Sequence, residues 1–181
     1  DVNPTAHKHV PPDQPESLPF GTRRVLARRF SVVLSNDWRE VPNDHGALIV
    51  FAPRSGEHVA LDVYREAVLV DRSLHGDWCR QYAAAMSTAS GMPMSGDCGR
   101  EIVGGRDVAT VKVTRGDLRQ WHMLLFTDDG VYVLVLTTTA EREALDIETL
   151  RLTAASLTLL DVAAATVAAM EKLRYRFTPP K

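Results

Sequence analysis

The sequence predicts a compact antiparallel α+β domain. Three observations carry that reading. Between Arg100 and Leu136, four apolar stretches are separated by tight turns. Upstream, two strand patterns flank Pro53-Arg54-Ser55-Gly56. Two stretches of helical periodicity, near Asp71 to Ser90 and after Thr138, supply the helices.

The elements follow in order. Asp1 to Gly21 carries Pro4, Pro11, Pro12, Pro15 and Pro19 with few large apolar residues, the composition of an extended arm. Phe30, Val32 and Leu34 alternate with Ser31, Val33 and Ser35, a period-two strand, and Asn36-Asp37 turns the chain before Trp38. Leu48-Ile49-Val50-Phe51 is an apolar strand. Val59, Leu61 and Val63 form one face of the next, so the two make a hairpin. Leu74, Trp78, Tyr82, Ala85 and Met86 fall on one helical stripe. Asp71 or Ser73 caps its start, and Gly91 and Pro93 end it.

Arg100 to Val103 leads into Gly104-Gly105, a favoured two-residue hairpin turn because both positions tolerate positive φ. Val108 to Thr114 and Gln120 to Thr127 follow, joined by Arg115-Gly116-Asp117. Asp128-Asp129-Gly130 turns into Val131 to Leu136, apolar on both faces and therefore central in a covered sheet or facing a partner. Thr138-x-x-Glu141 reads as a capping box opening the second helix, whose buried stripe is Ala144, Ile147, Leu150, Ala154 and Leu157. Asp161 to Phe177 is alanine-rich, reads as helical and ends in basic residues before Pro179-Pro180. The organisation is an arm at 1–27, a domain at 28–160 and an alanine-rich C-terminal helix and tail at 161–181.

Composition excludes several classes. The 181 residues are 45% hydrophobic and 24% charged, with a net charge of −2. That balance suits a soluble domain and gives no global attraction to nucleic acid or anionic membrane. No apolar run approaches the roughly 20 residues of a membrane span. The expected location is unspecific, with cytoplasmic favoured over exported. The chain has no P-loop, no G-x-G-x-x-G, no G-x-S-x-G elbow and no H-E-x-x-H. His75, Cys79 and Cys98 could hold zinc, but the sparse ligand set favours no metal, no cofactor and no catalytic residue. Cys79 and Cys98 read as free, partly buried thiols; a bridge between them would tie the first helix to the next strand.

Phe30-Ser31-Val32-Val33-Leu34-Ser35-Asn36-Asp37-Trp38 resembles the "strand, Leu-Pro, x-x, Trp" opening of the PsbP-like superfamily, which includes DcrB-type domains. Leu34-Ser35 stands here where that family often has Leu-Pro. Val103-Gly104-Gly105-Arg106-Asp107-Val108-Ala109 resembles its "I-x-G-x-x-A" hairpin. Val131 to Thr139, with a helix closing on Ala155-Ser156-Leu157, resembles its final signature. The resemblance implies an antiparallel sheet of about six to seven strands sandwiched by helices, with the C-terminal helix as an addition. It also implies a non-enzymatic protein-binding role, as in bacterial accessory, chaperone or immunity-like proteins beside secretion systems.

Two functional readings follow. One is a module that binds another protein or a second copy of the chain, through Met92, Met94, Val167, Met170 and Phe177. The other is a small-molecule or lipid binder with a pocket between the sheet and the first helix, near Trp78, Tyr82, Trp121 and His122.

Overall fold

A computed structural model of the chain describes residues 18–55, 58–91 and 98–160. They form β1 (Thr22–Leu26), β2 (Phe30–Ser35), β3 (Trp38–Val41), β4 (Ile49–Pro53), β5 (Ala60–Glu66), α1 (His75–Ser90), β6 (Gly99–Val103), β7 (Arg106–Arg115), β8 (Leu118–Thr127), β9 (Gly130–Thr139), α2 (Glu143–Ser156) and β10 (Thr158–Leu159). A 3₁₀ turn at Arg72–Leu74 precedes α1. The fold class read from the sequence is the one found: an antiparallel sheet with helices on both faces.

Seven strands make one antiparallel sheet in the order β3-β4-β5-β9-β8-β7-β6. A second sheet, β1-β2-β10, lies with α2 across one face of the first. Phe30, Val32, Leu34, Ile147, Leu150 and Leu157 interlock there with Phe51, Leu61, Tyr132, Leu134 and Leu136 in one buried cluster. The opposite face is covered by α1, where Cys79 and Ala83 pack on Val111, Leu124, Val131, Val133 and Val135. Because β9 alternates between the two clusters and is buried throughout its centre, it reads as apolar on both faces.

Several elements escaped the sequence patterns. Thr22–Leu26, inside the stretch read as an arm, is β1; its Arg23 and Arg24 break any apolar alternation. They are held locally, Arg23 donating to the carbonyl oxygens of Ser35 (3.1 Å) and Trp38 (2.6 Å) and Arg24 to Ser31 Oγ (3.0 Å). Asn36-Asp37 is a turn, as the sequence indicates; Trp38 directly after it opens a further strand, β3, and the chain passes from one sheet to the other there. The short β10 pairs with β2 through Thr158↔Ser31 and Leu159↔Phe30.

The capping box is corrected. Thr138 lies in β9, and its hydroxyl donates to the buried Asp146 carboxylate at 2.6 Å. Arg142 is the N-cap of α2 and makes no side-chain cap bond; its guanidinium instead pairs with Asp146 one turn on, at 3.0 Å. Ala144, placed on the buried stripe, is exposed, and Asp146 takes the inward position because Thr138 and Arg142 satisfy it. In α1 the inward stripe runs through Cys79 and Ala83, flanked by Trp78 and Tyr82, while Leu74 and Ala85 are exposed. Gly91 ends α1 in the left-handed region at φ 63°, as its type predicts.

Cys79 and Cys98 are not free thiols. They form a disulfide with Cα atoms 6.1 Å apart, tying α1 to the start of β6. The zinc option falls with it, since a bridged pair offers no thiolate ligand. Among the described residues, no group of three or more His, Cys, Asp or Glu side chains could hold a metal ion. No helix among them is long and apolar enough to cross a membrane.

Candidate functional site

Three places bear on function. The first lies under α1. Trp78 stacks on Tyr82 with ring centroids 5.7 Å apart, and Tyr82 Oη lies 2.7 Å from His122 Nδ1. His122 Nε2 meets Gln120 Oε1 at 3.1 Å, and Gln120 Nε2 donates to Thr137 Oγ1 at 3.2 Å. This fixes one neutral tautomer: Nε2 carries the proton and Nδ1 accepts from the phenol. Tyr82 Oη, both His122 nitrogens and both Gln120 side-chain heteroatoms are used internally, so they serve as a satisfied core network.

Burial pushes the His122 imidazole down to about 4. The unfolded chain takes up that proton near pH 6.5. The folded state therefore binds it less readily, and its stabilising contribution is complete above about pH 6.5 and lost as pH falls toward 4. Roughly 2 kcal/mol should vanish between pH 7 and 4.5 from this group alone. Urea midpoints at the two pH values check it: His122→Gln should flatten the slope, and an unchanged slope would refute the assignment.

Trp121 belongs elsewhere. Strand alternation turns it to the opposite face of the sheet, where its Nε1 donates to Glu143 Oε1 at 2.7 Å. Lys112 Nζ reaches the same oxygen at 2.5 Å and sits 4.7 Å from the centre of the indole. Burial pushes Glu143 up, but the hydrogen bonds and charges of Lys112, Trp121 and Arg119 outweigh it and hold the carboxyl below its usual range. The structure thus gathers Trp78, Tyr82 and His122, and separates Trp121 from them. Met92, Met94, Val167, Met170 and Phe177 lie outside the described residues.

The second place is Asp62 on β5. Its partner is His45, from the loop between β3 and β4, with Nε2 3.5 Å from Oδ2. Tyr64 Oη lies 3.4 Å from the same oxygen, and Oδ1 is buried without a hydrogen-bond partner. Burial raises the Asp62 carboxyl, with His45 opposing.

The third place is an open cleft of about 600 Å³. Its origin is in the sheet register. The β7–β8 ladder runs from Arg115↔Leu118 to Ala109↔Leu124 and stops there. Beyond it, β7 stays with β6 down to Arg106↔Val103, and β8 stays with β9 to Thr127↔Gly130. The two hairpins part like a fork, and Arg106 to Val108 on one arm and Leu125 to Asp128 on the other line the gap.

Each arm is anchored to a different element. Gly104, at φ 57°, lies so close to α2 that a Cβ added there would sit 2.6 Å from that of Ala155. Glu101 on β6 accepts from Arg151 of α2 at 2.6 Å. The β8–β9 turn is fixed on the other side: Asp129 accepts from Tyr132 Oη at 2.8 Å and pairs with Arg65 at 3.0 Å and Arg29 at 3.2 Å. Leu157 and Leu159 extend the apolar floor, and Ile102 on the edge strand β6 stands 70% exposed. Sequence patterns could place both hairpins but not their divergence, which arises from contacts distant in the chain.

The arrangement can be set beside known structures. No protein-family model matches the sequence, and no curated protein does. The solution structure of cyanobacterial PsbP (CyanoP) from Synechocystis sp. PCC 6803 superposes with a TM-score of 0.58 at 13% identity, covering 82% of this chain and 98% of that one. The fold is PsbP-like. A crystal structure from Bacteroides thetaiotaomicron VPI-5482 gives 0.52 at 13% identity over 73% of this chain and 45% of its own. LpqN of Mycobacterium tuberculosis, described as involved in cell envelope biogenesis, gives 0.46 at 13% identity, with 77% and 91% covered. At such identities the likeness concerns the PsbP-like architecture, two helix-covered faces on one antiparallel sheet, and carries no site residues across.

Proposed function

We propose that this chain is a non-enzymatic accessory module that binds another protein, and that the fork between the β6–β7 and β8–β9 hairpins receives a polypeptide segment of that partner. The carrying observation is the fork itself: strand edges that part, an apolar floor and an exposed isoleucine on the rim. Free strand edges recruit extended peptides by backbone hydrogen bonding, with pockets selecting alternate side chains. The small-molecule reading has less support, because Tyr82 and His122 already satisfy each other and Trp78 stacks on Tyr82. The narrower DcrB-type assignment rests on the sequence motifs, and the Cys79–Cys98 bridge suits an oxidising compartment over the cytosol.

Ile102→Glu is the direct test. The residue is exposed, so folding should be unaffected. Affinity capture with the wild-type chain should enrich a partner that the variant loses by at least tenfold. Equal enrichment by both proteins would place the interface elsewhere.

A further inference from the structure

The fork carries a charge opposite in sign to that of the molecule, whose net charge is −2. Arg72, His75 and Arg106 line it, with Asp107 and Asp128 as its acidic residues. Asp107 is already paired with Arg100 of β6. Arg72 and Arg106 are exposed, and among the described residues neither makes an ion pair or a side-chain hydrogen bond. Two uncommitted guanidinium groups therefore stand against the one carboxylate of Asp128.

Those two groups come from different elements. Arg106 opens β7 on one arm of the fork, and Arg72 lies in the 3₁₀ turn before α1. The rest of the wall is largely aliphatic, from Val108, Leu125, Leu157 and Leu159. Phe126 is already stacked on His75, with ring centres 3.7 Å apart. Apolar contact in the fork thus comes from aliphatic side chains rather than from ring stacking of the kind that holds nucleic-acid bases. The arms also offer backbone. In an antiparallel ladder, alternate residues turn their N–H and C=O away from the partner strand. Past the last β7–β8 pair, Ala109↔Leu124, at least one residue of Arg106 to Val108 and one of Leu125 to Thr127 present those groups to the gap.

We propose that the occupant of the fork is an extended segment of another protein that is acidic as well as apolar, its carboxylates pairing with Arg72 and Arg106. The inference rests on reading the fork as a polypeptide groove, and it adds the partner's chemistry. Guanidinium groups hold carboxylates through paired, charge-assisted hydrogen bonds. At an exposed rim such pairs act mainly on partner choice and association rate, and salt screens them.

Panning a phage-displayed library of random dodecapeptides on the full-length chain at low salt tests this. Peptides made from the selected sequences are then titrated by fluorescence anisotropy. The expected sequences are enriched in Asp, Glu and apolar residues. Their affinity should fall at least tenfold on Arg72→Glu/Arg106→Glu, on Ile102→Glu, and when amides replace their carboxylates. Arg72→Gln/Arg106→Gln takes the place of the first variant if its urea midpoint shows a folding defect. Arg39→Glu/Arg54→Glu, beside β3 and β4 at the other end of the sheet, makes the same change in charge and should leave affinity unchanged. Selected peptides with no acidic preference that Ile102→Glu still weakens would overturn the acidic partner and keep the groove. Peptides indifferent to Ile102→Glu, or no selection at all, would overturn both. Equal weakening by the control pair, or competition by a single-stranded oligonucleotide as effective as that of the acidic peptide, would overturn the proposal in favour of general polyanion attraction. Wild-type dimers in sedimentation that Ile102→Glu dissolves would give the groove to a second copy instead.

Discussion

Trp38→Ala should destabilise the protein by about 3–5 kcal/mol, the range for truncating a buried aromatic. Trp38 is 3% exposed at the start of β3 and packs in the cluster shared by both sheets. It sits where the chain changes sheets, directly after Asn36-Asp37. The register Trp38↔Pro53 puts it at the end of the β3–β4 ladder, and Arg23 of β1 donates to its carbonyl at 2.6 Å. Truncation therefore removes an apolar anchor and loosens the place where β1 and β3 meet. The surrounding strands are tied by backbone pairing and can collapse only partly, so most of the cavity term remains. Equilibrium urea unfolding checks it, with Trp38→Phe losing about half as much or less. A loss below about 1 kcal/mol for the alanine variant would mean that the site repacks.

The sequence patterns found what local chemistry dictates. Gly104-Gly105 and Asp128-Asp129-Gly130 are turns because those residues accept the required backbone angles, and the hairpins around them lie where the patterns put them. Gly91 ends α1 for the same reason. What stayed hidden depends on long-range partners. β1 carries Arg23 and Arg24 whose hydrogen-bond acceptors lie on β2 and β3, so its own pattern is mute. Thr138 looks like a cap because hydroxyl and carboxylate stand at the right spacing, yet it meets Asp146 instead. The fork opens between one hairpin held by α2 and another held by Asp129's partners. No local pattern reports such a conflict of anchors.

Removing the Cys79–Cys98 bridge should cost about 3 kcal/mol, and the loss should fall first on α1. The bond closes a segment with a sequence separation of 19 residues. By the chain-entropy account a loop of that size is worth about 3 kcal/mol through the unfolded state. The native side points the same way. α1 covers its face of the sheet mainly through small residues, Cys79 and Ala83, with Trp78 and Tyr82 half-buried beside them. That is modest apolar burial for a sixteen-residue helix. By contrast, β8 and β9 pair along ten residues and are buried on both faces. The helix is thus the weaker layer, and the disulfide fastens it to the start of β6. In Cys79→Ala/Cys98→Ala, amide exchange in α1 should rise by about two orders of magnitude, while the centres of β8 and β9 keep most of their protection. Exchange that rises uniformly would show that α1 unfolds only with the whole domain, and a urea loss under about 1 kcal/mol would show that the sheet holds the helix without the bridge.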